Sequence, residues 1–140
     1  MNAEEARGLL ASARVARLAT CGADGQPHLV PITFALDGDV ILTAVDHKPK
    51  RTANLRRLRN IAANPRVSVL VDHYEDDWSR LWWARADGTA RAIQPAEPEH
   101  ADAVARLAVR YDEYRERPPQ GPAIAITVSR WSAWRATPPA

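Results

Sequence analysis

Cysteine occurs once in this 140-residue chain, at Cys21. No intrachain disulfide can form, so packing must hold the fold, as suits a protein of a reducing compartment. Long apolar runs are missing as well. The longest strongly apolar stretch is "VSVLV", residues 67–71, far short of the ~20 residues a membrane-spanning helix needs. Glu4 and Glu5 stand where a secretory leader would be basic and then apolar. These absences predict a soluble, cytoplasmic protein. There is no Gly/Ser linker, low-complexity tract or solenoid repeat, so a single domain over residues 1–140 is expected, large enough to bury an ordinary core.

Local catalytic signatures are also lacking. No Walker A loop, G-x-G-x-x-G turn or G-x-S-x-G elbow is present. "DHYEDD", residues 72–77, clusters His73 with carboxylates but offers no second histidine at ligand spacing, which argues against a metal site. Cys21 has no histidine beside it in sequence, which argues against a thiol nucleophile. An enzyme without a local acid–base motif draws its chemistry from a cofactor.

The most informative absence is one of charge. From His47 to Val71 there is no Asp or Glu, while Lys48, Lys50, Arg51, Arg56, Arg57, Arg59 and Arg66 are all cationic. The formal net charge is only +2, because the rest of the chain holds 12 basic residues against 17 acidic ones. A polyanion-binding surface spread over the molecule would not leave the remainder acidic, so the positive field is local.

Around that segment the pattern is mostly β. Residues 3–13 read as a short amphipathic helix. "RVARLAT", "HLVPITFAL" and "DVILTAV" read as three strands joined by turns at Asp24-Gly25 and Asp37-Gly38. Pro31 inside the second marks an edge, a bulge or a place where backbone stays free. A helix follows, with Thr52 as N-cap and Leu55, Leu58 and Ala62 on one face, stopped by Asn64-Pro65. "RVSVLVDHY" is a fourth strand with Val67, Val69 and Val71 facing one way. "WSRLWWARADGTARAI" reads as a fifth, turning at Asp87-Gly88. The longest helix spans residues 98–117, with Val104, Leu107, Ala108, Tyr111 and Tyr114 as its apolar stripe and Pro118-Pro119 as its end. "PAIAITVSRWSAWRA" closes the chain. Six closely spaced antiparallel strands with helices between them predict a small closed or partly closed barrel, a mostly β fold with helices packed outside.

The plainest reading of Arg56, Arg57 and Arg59 is a solvated helix face, favourable toward the helix C-terminus. Lys48, Lys50 and Arg51 differ. They crowd the helix N-terminus, where free backbone N–H groups already act as about half a positive charge, and only Asp46 offsets them. A phosphate or carboxylate would reverse that balance by accepting both sets of donors; a simple exposed loop is the alternative. Nucleic acid fits poorly, since the remainder is acidic, no helix-turn-helix pattern is present and aromatics do not interleave with the basic run.

Tryptophan is abundant, five residues in all, three of them in "DDWSRLWW". Trp82 and Trp83 point to opposite faces of a strand, where packing explains one and an outward face hints at a dimer interface. Trp78 follows a turn and is better placed to wall a ligand site.

The order of "RLATCGADGQPHLVPITFALDGD", "HKPKRTANLRRL", "NPRVSVLVD", "DDWS" and "ADGTARA" resembles the split β-barrel flavin and deazaflavin proteins of the pyridoxamine-phosphate-oxidase-like superfamily, from about Val15 to Ile93. Within it, the chain is most similar to the actinobacterial oxidoreductases that use coenzyme F420; its Ala- and Arg-rich composition agrees with a high-GC genome. The resemblance implies that Lys50 and Arg51, or Lys48 in place of Lys50, grip the cofactor phosphate, with Thr52 and Asn54 from the family's K-T-x-N-L pattern ordering the loop. It implies that His28, Val30 and Pro31 lie near the cofactor ring, where Pro31 replaces a polar residue of some relatives. Backbone at Thr43 and Ala44 would meet the ring edge. Trp78 would come from a second subunit, the site lying at a homodimer interface. The activity implied is hydride transfer between F420 and a small organic acceptor, with no catalytic acid assigned. An FMN-dependent oxidase or reductase and a non-catalytic F420- or flavin-binding protein remain the alternatives.

Overall fold

In a computed structural model the described residues are 2–45 and 51–137, with side chains in the second helix described from Arg56 onward. Among the described residues, seven strands form one sheet: β1 (Ala16–Cys21), β2 (Pro27–Ile32), β3 (Ala35–Asp37), β4 (Val40–Ala44), β5 (Arg66–His73), β6 (Trp82–Ile93) and β7 (Ala123–Arg135). Four helices accompany them: α1 (Ala3–Ser12), α2 (Arg51–Ala63), α3 (Pro98–Arg110) and α4 (Asp112–Glu116). The strands run in the order β2-β1-β5-β6-β7-β4-β3, each antiparallel to its neighbour.

That order forces the sheet to curl. β2 and β3 are the two edges, yet only Thr33 and Phe34 separate them in sequence. A flat sheet of seven strands would hold its edges about 29 Å apart, whereas the link from Ile32 to Ala35 reaches at most about 11 Å. The sheet must therefore curl until its edges meet at this corner, a split β-barrel with helices outside. Phe34 is fully buried there. The expected second strand, residues 28–36, is thus two strands pairing with different neighbours, so there are seven rather than six.

The alternation of β5 directs Val67, Val69 and Val71 into the core, as its pattern requires. They meet Leu18, Ile32, Phe34, Ile41, Ile124 and Ile126. α1 closes over this core with Leu9 and Leu10, its first turn capped by Asn2, whose side chain accepts from Glu5 N–H at 2.8 Å. Gly25 (φ 77°) and Gly38 (φ 59°) supply the left-handed residues of the two expected turns.

Four local expectations are corrected. Asp87-Gly88 is not a turn, because β6 runs straight through it. The register with β7 instead shifts there, Asp87 facing Arg130 and Gly88 facing Val128, so Ser129 is the extra residue of a bulge. α2 begins at Arg51, one residue ahead of the expected Thr52 cap, and Arg57, Asn60 and Ile61 are buried while Ala62 is exposed. The long C-terminal helix ends at Arg110 because Tyr111 is extended (φ −126°, ψ 117°), and α4 restarts beyond it. Ala103 and Leu107 bury the inner face of α3, while Val104 is only half-buried.

The break at Tyr111 is filled by its own side chain. Its hydroxyl accepts from Phe34 N–H (3.1 Å) and lies 2.9 Å from Arg14 O and 3.0 Å from Phe34 O, donating to one of them. Arg110 donates to Phe34 O and Ala13 O, each at 2.7 Å. The carbonyls at the end of α1 and at the barrel corner are satisfied in this way.

Candidate functional site

α2 lies against the β1–β2 end of the barrel, and one side-chain contact sets its rotation. Asn60 Nδ2 donates to Thr20 Oγ1 at 3.0 Å, with both residues buried. Gly22 makes the approach possible, since a Cβ there would stand 2.5 Å from Asn60 Oδ1. Thr20 faces His28 across the β1–β2 ladder, so α2, Thr20 and His28 form one corner.

That corner is cationic. Burial, then the positive charges of Arg56 and Arg57, hold the His28 pKa below the ordinary imidazole value. His28 Nδ1 is buried and has no hydrogen-bond partner among the described residues. Arg57, expected on a solvated face, is instead only 7% exposed. Its depth is explained by α2 presenting Arg57, Asn60 and Ile61 to the barrel. A buried ring nitrogen left over beside two guanidiniums suits a ligand that carries negative charge and further polar atoms.

The other expected site residues are distributed as follows. Lys48 and Lys50 lie outside the described residues, as do the side chains of Arg51, Thr52 and Asn54, whose backbone forms the first turn of α2. On edge strand β2, Val30 points inward with His28, while Pro31 and Leu29 point outward; Leu29 is 67% exposed. Pro31 therefore occupies an edge, where its missing N–H costs no ladder bond. Thr43 and Ala44 are buried in β4. The Thr43 hydroxyl donates to Thr33 O at 2.7 Å, and Ala44 packs near Leu107 and Tyr114. The β3–β4 register ends at Ala35 opposite Leu42, so residues 43–44 pair with β7 on one side and have no strand partner on the other among the described residues.

Trp78 is not part of this corner within one chain. The corner lies at the Val67 end of β5, and Trp78 follows the His73 end, about 20 Å along the strand. Trp78 is 68% exposed, and its indole donates to Tyr74 OH at 3.3 Å. The loop that carries it is stapled. Asp77 accepts from Ser79 N–H and Oγ–H (3.1 and 2.7 Å), and Thr137 donates to Ser79 O at 2.6 Å. Glu75 meets His73 Nε2 at 2.5 Å and accepts from Arg80 at 3.1 Å; the His73 bond is the main reason its pKa falls below the usual carboxylate value. Trp78 and Tyr74 are both exposed, at 68% and 66%.

Sequence reasoning missed Thr20, Asn60 and an open cleft of about 550 Å³ on the outer face of the same end. Its walls include Ala19, Cys21 and Pro27 on one side and Arg66, Ser68 and Asp87 on the other. Their outward parity was readable strand by strand. The bulge at Ser129 that borders it was not.

Comparisons with known proteins give the same fold. Residues 3–135 match the family described as pyridoxamine 5'-phosphate oxidase. A 59-residue segment, 40% of the chain, is 42% identical to a 5a,11a-dehydrotetracycline/5a,11a-dehydrooxytetracycline reductase of Streptomyces rimosus, and spans 38% of that enzyme. A conserved hypothetical protein of Mycobacterium tuberculosis superposes with a TM-score of 0.72 at 27% identity, covering 97% of this chain and 86% of that one. An FAD-binding protein of Mesorhizobium loti superposes with a TM-score of 0.73 at 24% identity, covering 95% and 94%.

Proposed function

The chain belongs to the pyridoxamine 5'-phosphate oxidase family, and from that premise we propose that it is an F420-dependent oxidoreductase. It acts as a homodimer on a small organic acceptor. The observation that carries this reading is the cationic corner, where His28 stands beside Arg56 and Arg57 of the acid-free segment from His47 to Val71. The tetracycline reductase match supports reductive chemistry.

Lys50 and Arg51, with Lys48 close by, hold the cofactor phosphate at the head of α2; Thr52 and Asn54 order the loop. A helix N-terminus favours such an anion, and each charge-assisted bond adds to it. His28, Val30 and Pro31 bring β2 alongside the ring, and backbone at Thr43 and Ala44 meets its edge. Arg56 extends the positive field toward a ligand tail with several carboxylates, which favours F420 over FMN. When bound, the deazaflavin supplies the hydride; the protein anchors, orients and shelters it. Trp78 of the partner subunit covers the site and excludes water.

The FMN-dependent reading has its own support in the FAD-binding neighbour. Titration of the purified protein with F420 and with FMN separates the two. Micromolar F420 binding is expected. Micromolar FMN binding beside absent or millimolar F420 binding would overturn the cofactor assignment. Tight F420 binding without turnover across quinones, enones and nitroaromatics would instead make the protein a cofactor carrier.

A further inference from the structure

We propose that the cleft at the β6–β7 bulge, which adjoins the cofactor corner at Thr20 but opens on the outer face, is a second binding site for a small organic anion with an apolar body. At about 550 Å³ it is within the size range of small-molecule sites. Ser129, looped out of register, and Gly88 opposite the bulge both line it. A bulge of this kind re-aims side chains next to functional sites.

The charge in the cleft selects the sign of its ligand. Asp87 is its one carboxylate among the described residues, and that carboxylate is already engaged. Ser68 Oγ–H donates to one oxygen at 2.6 Å and Arg85 Nε–H to the other at 3.3 Å. Ser129 Oγ–H is spent on Asp87 O at 3.1 Å. Arg66 is different. It is exposed on the wall of the cleft and forms no ion pair among the described residues. An incoming carboxylate therefore meets one uncommitted guanidinium, able to bind it through two parallel hydrogen bonds, and an acid whose charge is already answered. Ala19 and Pro27, on the outer face of β1 and β2, supply apolar wall for a ring.

The test uses 4-hydroxybenzoate as probe, with inorganic phosphate as the charged group alone, followed by NMR on the intact protein. Saturable shifts at Ala19, Ser68 and Gly88 are expected with 4-hydroxybenzoate, and much weaker ones with phosphate. Arg66→Gln should weaken the probe at least tenfold. Ala19→Phe, which fills the cleft without removing a polar group, should abolish its binding while circular dichroism stays native. F420 affinity of Ala19→Phe is measured alongside and should be unchanged. No saturable binding, or binding indifferent to both substitutions, would overturn the proposal. Loss of F420 affinity in Ala19→Phe would overturn the claim of a second site while leaving the cofactor reading intact.

Discussion

Asn60 and Thr20 are joined by a 3.0 Å hydrogen bond that is buried on both sides, and through it a helix is keyed to the edge of a barrel. The pair makes a stability prediction. Asn60→Ala strands the Thr20 hydroxyl and should cost about 1–3 kcal/mol in urea denaturation. Thr20→Val should cost a similar amount, and the double variant less than the sum, because the two residues share one interaction. Additive losses would mean that the bond does not hold α2 in place.

His28 gives a pH prediction. Its pKa is lowered in the folded protein, so between that value and the unfolded value of about 6.5 the unfolded chain binds more protons. The contribution of neutral His28 is complete above that unfolded value and is lost as pH falls below it. Stability of the wild type should decline across that interval more steeply than that of His28→Asn, read by denaturation at a series of pH values. A bound anion should raise the His28 pKa, visible in an NMR titration of its ring. Equal slopes in the two proteins, with no ligand-induced shift, would place His28 away from the anion.

Replacing Lys50 and Arg51 together by Ala should weaken cofactor binding by about 2–4 kcal/mol, at roughly 1–2 per charge-assisted contact. The fold and the proposed dimer should survive, as calorimetry and sedimentation would show. Undiminished affinity would move the phosphate elsewhere.

Gly88→Ala should destabilise the barrel by about 1–3 kcal/mol, since the new Cβ would stand 2.3 Å from Thr127 O and 3.0 Å from Val128 Cα, backbone that cannot easily yield. Thermal unfolding measures this. Gly8→Ala is the control: a Cβ there meets nothing within 4 Å, and a helical alanine should leave stability equal or higher. Equal melting temperatures for Gly88→Ala and wild type would mean that the bulge relaxes freely.

Three Asp-Gly pairs show how far the sequence could be read. At Asp24-Gly25 and Asp37-Gly38 the glycine is present for its backbone, with φ of 77° and 59°, and both turns were legible. At Asp87-Gly88 the same dipeptide sits mid-strand, its glycine needed because Thr127 O crowds the Cβ position. No local signal separates these uses, because the crowding atom is almost 40 residues away in sequence. The valine alternation of β5 was legible for the opposite reason: a period of two is a property of the strand itself. Arg57 was misread because a guanidinium is ordinarily solvated, and only the docking of α2 through Asn60 buries it.

By itself, the sequence determined a β-rich fold with helices, the tight turns at Asp24-Gly25 and Asp37-Gly38, the inward face of β5 and a local excess of positive charge before and along α2. These follow from periodicity, backbone preference and charge counting, all interactions between near neighbours. Only the tertiary structure decided that edge strands β2 and β3 meet at a two-residue corner, that α2 turns Arg57 inward beside His28, and that a bulge borders a cleft on the outer face. Each of these depends on which distant segments pack together, and packing is settled by the whole chain closing around one core.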